Sequence, residues 1–124
     1  MQGQFSELAS SLQGELYWDD AYKIMYATDA SAYREMPDAV AIPASTTDLH
    51  TLINFANRTG MALIPRAGGT SLAGQVVGKG LIVDISKRCN RILEFNSSER
   101  WVRVEPGVIR DDLNKWLQIG RAHV

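Results

Sequence analysis

Hydrophobic and polar residues follow two different patterns along the chain, one typical of helices and one typical of strands. Together the two patterns predict a mixed α and β protein. Helical spacing of apolar residues occurs over residues 5–12, over a segment that begins near Asp48, and over a segment that begins at Val108. Two short runs that are almost wholly apolar, residues 39–42 and 81–85, predict strands covered on both faces. The order of these elements indicates an α+β fold.

The clearest predicted helix has stop and start signals at both ends. A serine or threonine at positions 45–47 can cap its start, Asp48 suits the positive first turn, and Gly60 suits the C-terminal end. His50 lies off the apolar stripe, and we expect it to face solvent. Four residues at helical spacing form the predicted core-facing stripe: Leu49, Leu52, Ile53 and Ala56.

The C-terminal third predicts a hairpin followed by a helix. A turn-rich spacer at residues 96–99 separates residues 92–95 from residues 101–105, so these two runs predict antiparallel strands. In the second run Trp101, Arg103 and Glu105 alternate with two valines, which predicts one buried face and one wet face. The last helix carries an apolar stripe of four residues: Ile109, Leu113, Trp116 and Leu117.

A loop of small residues, Pro-Arg-Ala-Gly-Gly-Thr-Ser-Leu-Ala-Gly-Gln at residues 65–75, lies between a predicted strand at residues 61–65 and the run at residues 81–85. Consecutive glycines allow successive N–H groups to point into one concavity and bind an oxyanion such as a pyrophosphate. The hydroxyls of Thr70 and Ser71 add donors, and Arg66 adds positive charge. The loop therefore predicts an anion cradle, and the plain alternative is a glycine-rich connection between two strands.

Two standard nucleotide motifs do not fit this loop. The spacing from Gly69 to Gly74 matches a Walker A motif, but Gln75 and Val76 stand where that motif requires lysine and a hydroxyl residue. The G-x-G-x-x-G spacing of a dinucleotide fingerprint is absent, and the loop leads into a strand instead of a helix. Any phosphate site here is of another kind.

The loop resembles the pyrophosphate loop of the FAD-binding domain shared by vanillyl-alcohol oxidase, p-cresol methylhydroxylase and FAD-linked glycolate and D-lactate dehydrogenases. Loops of that family commonly read R-G-G-G-T-S-L-x-G, and Ala67 stands here where the first glycine usually does. Residues 26–33, with Pro37, and residues 104–108 resemble two further motifs of the family. The resemblance covers about residues 26–118 and implies the N-terminal half of a p-cresol methylhydroxylase-type FAD-binding domain.

The resemblance also implies a function for the full-length parent protein. FAD would bind non-covalently, because the loop offers no histidine or cysteine as a tether, and a 2-hydroxy acid such as D-lactate or glycolate would be oxidised by hydride transfer to the flavin. Substrate-handling groups of the family come from later residues, so no catalytic residue is assigned. The implied FAD contacts are Arg66, Ala67, Gly68, Gly69, Thr70, Ser71 and Leu72, with Gly107 and Val108 at the adenine end. Gln75 is implied as a weaker contact.

Two other functions stay open. A flavin- and NADPH-dependent reductase of sugar nucleotides uses a related glycine loop, and a non-enzymatic module could use the loop for a phosphorylated ligand. Within the proposed site, Arg66 has an alternative role as an ion-pair partner of Asp84 or Glu105.

The resemblance divides the chain into three parts. We expect a helical lead-in at residues 1–34 and the first part of the FAD-binding domain, truncated, at residues 35–118. Residues 119–124 match the peptide encoded by one frame of a common sequencing adapter, so we expect an artefactual tail. On this interpretation the isolated chain is inactive, and a substrate domain or an iron–sulfur cluster would belong only to the missing C-terminal part.

Composition limits the remaining classes. The net charge is −1, and the 13 lysines and arginines are dispersed along the chain, which disfavours a nucleic-acid binder. No apolar run has the roughly 20 residues that span a bilayer, and no signal peptide is evident, so we expect a cytoplasmic protein that is at most peripheral to the membrane. The single cysteine, Cys89, is interpreted as a spectator thiol, and no metal site is predicted.

Overall fold

The computed structural model describes residues 2–121, and this part of the chain forms four helices and six strands. The elements follow one another as α1 (Gln2–Ser11), β1 (Glu15–Tyr17), α2 (Asp20–Met25), β2 (Ala39–Ile42), α3 (Thr46–Thr59), β3 (Leu63–Arg66), β4 (Leu81–Asp84), β5 (Ile92–Asn96), β6 (Trp101–Val104) and α4 (Arg110–Arg121). Helices and strands are mixed as the sequence predicts.

Four strands form the main sheet, in the order β1-β2-β4-β3. Strands β2, β4 and β3 run parallel, with Leu81 opposite both Ala39 and Leu63, while β1 joins β2 antiparallel. Parallel strands bring their carboxyl ends to one edge, so Arg66 at the end of β3 lies beside Asp84 at the end of β4. The glycine loop leaves the sheet from this edge.

The core lies around the two central strands. All four residues of β2 and of β4 are buried, which confirms both predicted strands as covered on two faces. Helices α1 and α3 cover one face and contribute large side chains to it. The main apolar cluster consists of Phe5, Leu8, Leu16, Ala39, Ala41, Leu52, Phe55, Leu81 and Val83.

Residues 1–34 contain more than the predicted helical lead-in. Strand β1 pairs with β2 over Glu15–Tyr17 and therefore belongs to the main sheet, and α2 follows it. The sequence did not predict this strand, because it has only three paired residues and lies in a region without a regular apolar pattern. Tyr17 and Tyr22 stack with ring centroids 3.7 Å apart, and Tyr26 is buried, so this region packs as predicted.

Helix α3 is capped as predicted, and its core-facing stripe agrees with the prediction in part. Ser45 accepts a hydrogen bond from the Asp48 N–H, and Gly60 ends the helix in the left-handed conformation. The predicted stripe is confirmed at Leu52, which is 1% exposed, but it is wrong at Ile53, which is 50% exposed, and it misses Phe55, which is 2% exposed. His50 is exposed as expected.

Asp48 is the largest departure from the sequence prediction on α3. The sequence places it as a surface charge in the first turn, whereas the side chain is 1% exposed. Its carboxylate accepts hydrogen bonds from the N–H groups of Gln13, Gly14 and Ala44, at 2.8, 2.8 and 2.9 Å. A side chain on Gly14 would meet the Ile42 carbonyl at 2.1 Å, so glycine is required beside this carboxylate. Asp48 thus joins the α1–β1 turn to the start of α3.

Strand β3 is the edge of the main sheet within residues 2–121. The sequence predicts a buried strand over residues 61–65, but Leu63–Arg66 is only half-buried and contains the exposed Pro65. The prediction of a buried strand rested on the apolar side chains of this run. Leu63 and Ile64 do pack against the apolar clusters, but β3 has a neighbouring strand, β4, on one side only.

The hairpin of β5 and β6 confirms the predicted pairing, with Ile92 opposite Val104 and Asn96 opposite Trp101. Glu105 departs from its predicted wet face, since it is only 7% exposed. Its carboxylate accepts hydrogen bonds from the Arg91 N–H at 2.9 Å and from Arg91 Nε at 2.8 Å. These bonds explain how an acidic residue is buried there.

Glu105 should make the stability of the protein sensitive to acid. The hydrogen bond from the Arg91 side chain lowers the pKa of Glu105 in spite of its burial. A carboxyl whose pKa is lower in the folded state stabilises the protein above its unfolded pKa, and the stabilisation is lost as the pH falls through the folded value. We therefore expect Glu105→Gln to flatten the acid side of the stability curve, measured by urea unfolding at a series of pH values.

Glu94→Gln is the matched control for this experiment. Glu94 also pairs with an arginine of the hairpin, Arg103, at 2.8 Å, but both side chains are more than half exposed. Exposed pairs contribute little, so this variant should keep the pH dependence of the unmodified chain. Parallel pH curves for the Glu105→Gln variant and the unmodified chain would contradict the assignment.

Helix α4 begins at Arg110, two residues after the predicted start. Trp116 packs edge-on against Phe95 of the hairpin, with ring centroids 5.7 Å apart, whereas Ile109 lies before the helix and is exposed. Residues 122–124 of the predicted tail lie outside the described residues. The assignment of residues 119–124 as an artefact stays a prediction.

Candidate functional site

The glycine loop presents a row of main-chain donors at the carboxyl edge of the sheet. Within residues 2–121, no oxygen atom accepts a hydrogen bond from the N–H groups of residues 67–72. These six successive donors are open to water or to a ligand, because folded proteins pair their main-chain polar groups or expose them to solvent. The loop is open to solvent, with Leu72 81% exposed. The arrangement suits an anionic ligand.

Two neighbouring glycines in this loop have different surroundings. A Cβ on Gly69 would lie 2.6 Å from Arg66 Nη2, and its φ of 68° is in the left-handed region that favours glycine. A Cβ on Gly68 would meet only the methyl group of Thr70, at 3.6 Å. The protein itself therefore requires glycine at position 69 but not at position 68, where the space is free for a ligand.

Ser71 and Gln75 stabilise the second half of the loop. The Ser71 hydroxyl oxygen lies 3.3 Å from the N–H groups of Ala73 and of Gln75, and the hydroxyl donates to Gln75 Oε1 at 3.1 Å. Both predicted site residues are thus brought together, but with their side chains bonded to each other. The Ser71 hydroxyl is therefore engaged within the turn, whereas Gln75 and Thr70 are exposed.

Arg66 lies under the loop at the end of β3. Its Nη1 donates to the carbonyl oxygens of Tyr26 at 3.3 Å and Val76 at 3.5 Å, and its guanidinium carbon lies 5.2 Å from the centre of the Tyr26 ring. Its alternative role as an ion-pair partner is wrong. Asp84 accepts the Tyr26 hydroxyl, and Glu105 pairs with Arg91.

A buried polar network supports the Tyr26 ring. The Tyr26 hydroxyl donates to Asp84 Oδ2 at 2.5 Å, and Asp84 Oδ1 accepts from the N–H and hydroxyl of Ser86 at 2.9 and 2.6 Å. Burial and the hydrogen bond to Asp84 raise the pKa of Tyr26 well above its usual range, so the phenol stays protonated. The network fixes the ring on which the Arg66 guanidinium rests.

The segment between α2 and β2 braces the loop from outside. The Ala30 N–H donates to the Gly69 carbonyl at 3.0 Å, and the Tyr33 ring lies where a Cβ on Gly74 would meet it at 2.7 Å. Hydrogen bonds from Ser31 lower the pKa of Asp29 and hold this segment in a turn. Sequence reasoning recognised these residues only as a family-like motif. Their contact with the loop depends on distant pairing that periodicity does not reveal.

The predicted adenine-end residues lie at a second turn. Gly107 donates its N–H to the Cys89 carbonyl at 2.7 Å, and a Cβ on it would lie 2.2 Å from the Ile85 carbonyl oxygen. Internal packing thus explains the glycine, while Val108, beside it, is half-buried. Cys89 is buried and its pKa is raised by burial, in agreement with a spectator thiol. A role of Gly107 and Val108 in FAD binding stays a prediction.

The described residues offer anion binding and no evident redox or acid–base machinery of their own. No group of three or more histidine, cysteine, aspartate or glutamate side chains within residues 2–121 is placed to hold a metal ion. Among the helices of the same range, none has the length and apolarity needed to cross a membrane.

Comparison with known proteins places the loop in a family. Residues 37–122 match the family described as FAD binding domain. D-2-hydroxyglutarate dehydrogenase of Escherichia coli is 44% identical over 101 residues, which are 79% of this chain and 10% of that protein. Glycolate oxidase subunit GlcD of Bacillus subtilis is 32% identical over 106 residues, 82% of this chain and 23% of that protein. The chain thus spans about a tenth of the dehydrogenase.

Solved structures confirm the predicted fold. The structure of a 4-ethylphenol oxidase from Gulosibacter chungangensis superimposes on 98% of this chain with a TM-score of 0.84 and 25% sequence identity. The matched part is 25% of the chain of that oxidase. A p-cresol methylhydroxylase superimposes on 98% of this chain and 26% of its own with a TM-score of 0.78 and 16% identity. The chain, with its open glycine loop at the carboxyl edge of a parallel sheet, therefore belongs to the FAD binding domain family.

Proposed function

We propose that this chain supplies the diphosphate-binding part of the FAD domain of a dehydrogenase that oxidises a 2-hydroxy acid. The row of unpaired N–H groups at residues 67–72 carries this proposal. Backbone donors that converge on one concavity bind phosphate oxygens without side-chain rearrangement. Membership in the FAD binding domain family supports FAD as the ligand whose diphosphate would bind at this site.

Residues of the loop have distinct roles in this proposal. The N–H groups of residues 67–72 hold the diphosphate, the free space at Gly68 lets it approach the main chain, and the Thr70 hydroxyl donates to an oxygen that the amides do not reach. Arg66 places positive charge next to the loop, Gln75 is a weaker contact, and Gly107 with Val108 lines the adenine end. Bound FAD supplies a ring that accepts a hydride.

The names of the relatives support the substrate class. They include D-2-hydroxyglutarate dehydrogenases, a glycolate oxidase subunit and D-lactate dehydrogenases, and each name refers to a 2-hydroxy acid. These names favour hydroxy-acid oxidation over the reduction of a sugar nucleotide. The non-covalent attachment of FAD and a cytoplasmic location stay predictions that belong to the same proposal.

Binding to the loop is tested by replacing the glycine that the protein itself does not require. Gly68→Ala adds a methyl group where the diphosphate approaches, so we expect an affinity for FAD at least about tenfold weaker, which is about 1.4 kcal/mol. Amide chemical shifts of the 124-residue chain, titrated with FAD, give both the affinity and the location. The shifts should centre on residues 67–72. We expect the chain alone to bind more weakly than micromolar.

Gly3→Ala is the matched control, because a Cβ on Gly3 meets no atom within 4 Å, so this position also has room for a methyl group, and Gly3 lies in α1, away from the loop. It should leave the affinity unchanged. Equal affinities of the two variants, or shifts centred elsewhere in the chain, would contradict binding at the loop. Shifts without any loss in the Gly68→Ala variant would place the diphosphate away from that glycine.

The reaction is tested in a chimera that carries this chain in place of the matching residues of the Escherichia coli dehydrogenase. The purified chimera should contain FAD, and its flavin absorbance should bleach when a 2-hydroxy acid such as D-2-hydroxyglutarate is added. Bleaching by NADPH, with no response to hydroxy acids, would favour the sugar-nucleotide reductase. A colourless chimera that takes up no FAD would exclude both enzymes.

A further inference from the structure

The guanidinium of Arg66 contacts two segments that are distant in sequence. One hydrogen bond from Nη1 goes to the Tyr26 carbonyl, at the end of α2, and the other goes to the Val76 carbonyl, where the loop returns toward β4. Because Arg66 itself lies at the start of the loop, its side chain connects both ends of the loop and the bracing segment. A flexible loop with unpaired donors needs such a connection to hold one shape.

The guanidinium lies beside Gly69 and leaves the space at Gly68 free. The Cβ direction of Gly69 points at Arg66 Nη2, 2.6 Å away, whereas the Cβ direction of Gly68 points to nearly empty space. The guanidinium therefore does not occupy the space beside the α-carbon of Gly68. A ligand on the open side meets backbone N–H groups first.

The guanidinium is also held from below. It rests on the Tyr26 ring at 5.2 Å, and that ring is anchored by its hydroxyl on Asp84, which in turn accepts from Ser86. A planar cation on an aromatic face gains both electrostatic and packing energy. The side chain is therefore anchored in place and does not swing freely toward a ligand.

We propose that Arg66 is a positioning residue that shapes the diphosphate cradle from beneath, and that it does not contact the diphosphate. Its forked donors hold the two ends of the loop together, so that the N–H groups of residues 67–72 converge on the open side. This inference rests on the proposed function, in which that row of donors binds a diphosphate. In this inference the geometry of the guanidinium, as well as its charge, contributes to diphosphate binding through the shape of the loop.

The test compares three variants of the 124-residue chain, Arg66→Met, Arg66→Lys and Arg58→Met. Arg58 is the matched control, because its guanidinium also lies over an aromatic ring, that of Phe55 at 5.9 Å, but on α3 away from the loop. Hydrogen exchange of the ligand-free chain reports on loop order through the Ala30 amide, which is bonded to Gly69, and on the core through the Ile82 amide. Titration with ADP, followed by amide shifts, reports on diphosphate binding.

We expect Arg66→Met to speed the exchange of the Ala30 amide at least about tenfold relative to that of Ile82 and to weaken ADP binding by a similar factor. Arg66→Lys should recover less than half of either loss, because an ammonium lacks the planar fork. Methylguanidinium added to the Arg66→Met variant should restore ADP affinity. Arg58→Met should change neither measurement.

Three results would overturn the inference. Full recovery of ADP affinity by Arg66→Lys would show that charge alone matters, and an unchanged Ala30 exchange rate in Arg66→Met would show that the loop holds its shape without the guanidinium. Equal acceleration at Ala30 and Ile82 would reduce the role to general stability. If the unmodified chain binds no ADP while the exchange results hold, the proposed diphosphate function fails and the positioning of the loop by Arg66 stands.

Discussion

Replacing Asp48 by alanine is expected to lower the free energy of unfolding by about 3 to 5 kcal/mol, because three main-chain N–H groups lose a charged acceptor at once. The donors belong to Gln13, Gly14 and Ala44, and the carboxylate that holds them is 1% exposed. Domains of this size have roughly 5 to 15 kcal/mol in total. Urea unfolding of the 124-residue chain, followed by circular dichroism, measures the loss.

Asp112→Ala is the control for this variant. Asp112 is the third residue of α4, as Asp48 is the third residue of α3, but it is exposed. Its contribution is limited to its interaction with the helix dipole, so the loss should stay below about 1 kcal/mol. Similar losses in the two variants would mean that Asp48 acts only as a helix-terminal charge, as the sequence alone suggests.

Gly107→Ala is expected to cost about 3 kcal/mol or more, since the added methyl group has no room. Its Cβ would lie 2.2 Å from the Ile85 carbonyl oxygen and 2.6 Å from the Cys89 carbonyl oxygen, and both are main-chain atoms that cannot move alone. The variant should also unfold at lower urea concentration with no ligand present. That result would separate the packing role of Gly107 from the predicted role at the adenine end of FAD.

Gly78→Ala provides the comparison for this clash. A Cβ on Gly78 would lie 2.8 Å from Ile64 Cδ1, which is the tip of a side chain that can rotate away. We expect a loss at most half that of Gly107→Ala, measured by the same urea unfolding. A larger loss for Gly78→Ala would show that the main chain near Ile85 is softer than its geometry indicates.

Local signals predicted the elements of this fold well. The almost wholly apolar runs gave β2 and β4 correctly, because both strands are buried along their whole length, and the capping residues around α3 are local by nature. The glycine loop was recognised because its small residues and its resemblance to a family lie in one stretch of sequence. The family assignment followed from that stretch and is confirmed.

The errors have a common physical origin in contacts between distant residues. Asp48 has the sequence context of a surface helix residue, and only its approach to Gln13 and Gly14 buries it. Glu105 alternates like an exposed residue, but Arg91 folds back to bond it. The alternative role of Arg66 in an ion pair rested on its charge, while the carbonyl groups of Tyr26 and Val76 accept from its side chain instead. Charge and periodicity do not specify such partners.

Pro65 limits the pairing of the outer edge of β3 with a strand from another copy of the chain. The N–H groups of Leu81 and Ile85 donate to the carbonyls of Ala62 and Arg66, so these two carbonyls face β4. Main-chain groups of successive residues in a strand point to opposite sides, so those of Leu63 and Pro65 point away from β4, to the outer side of β3. Proline has no N–H, and one of the two donors that an added strand would need on that side is therefore missing. Pro65 protects this sheet edge, within residues 2–121, against the strand-to-strand association that leads to aggregation.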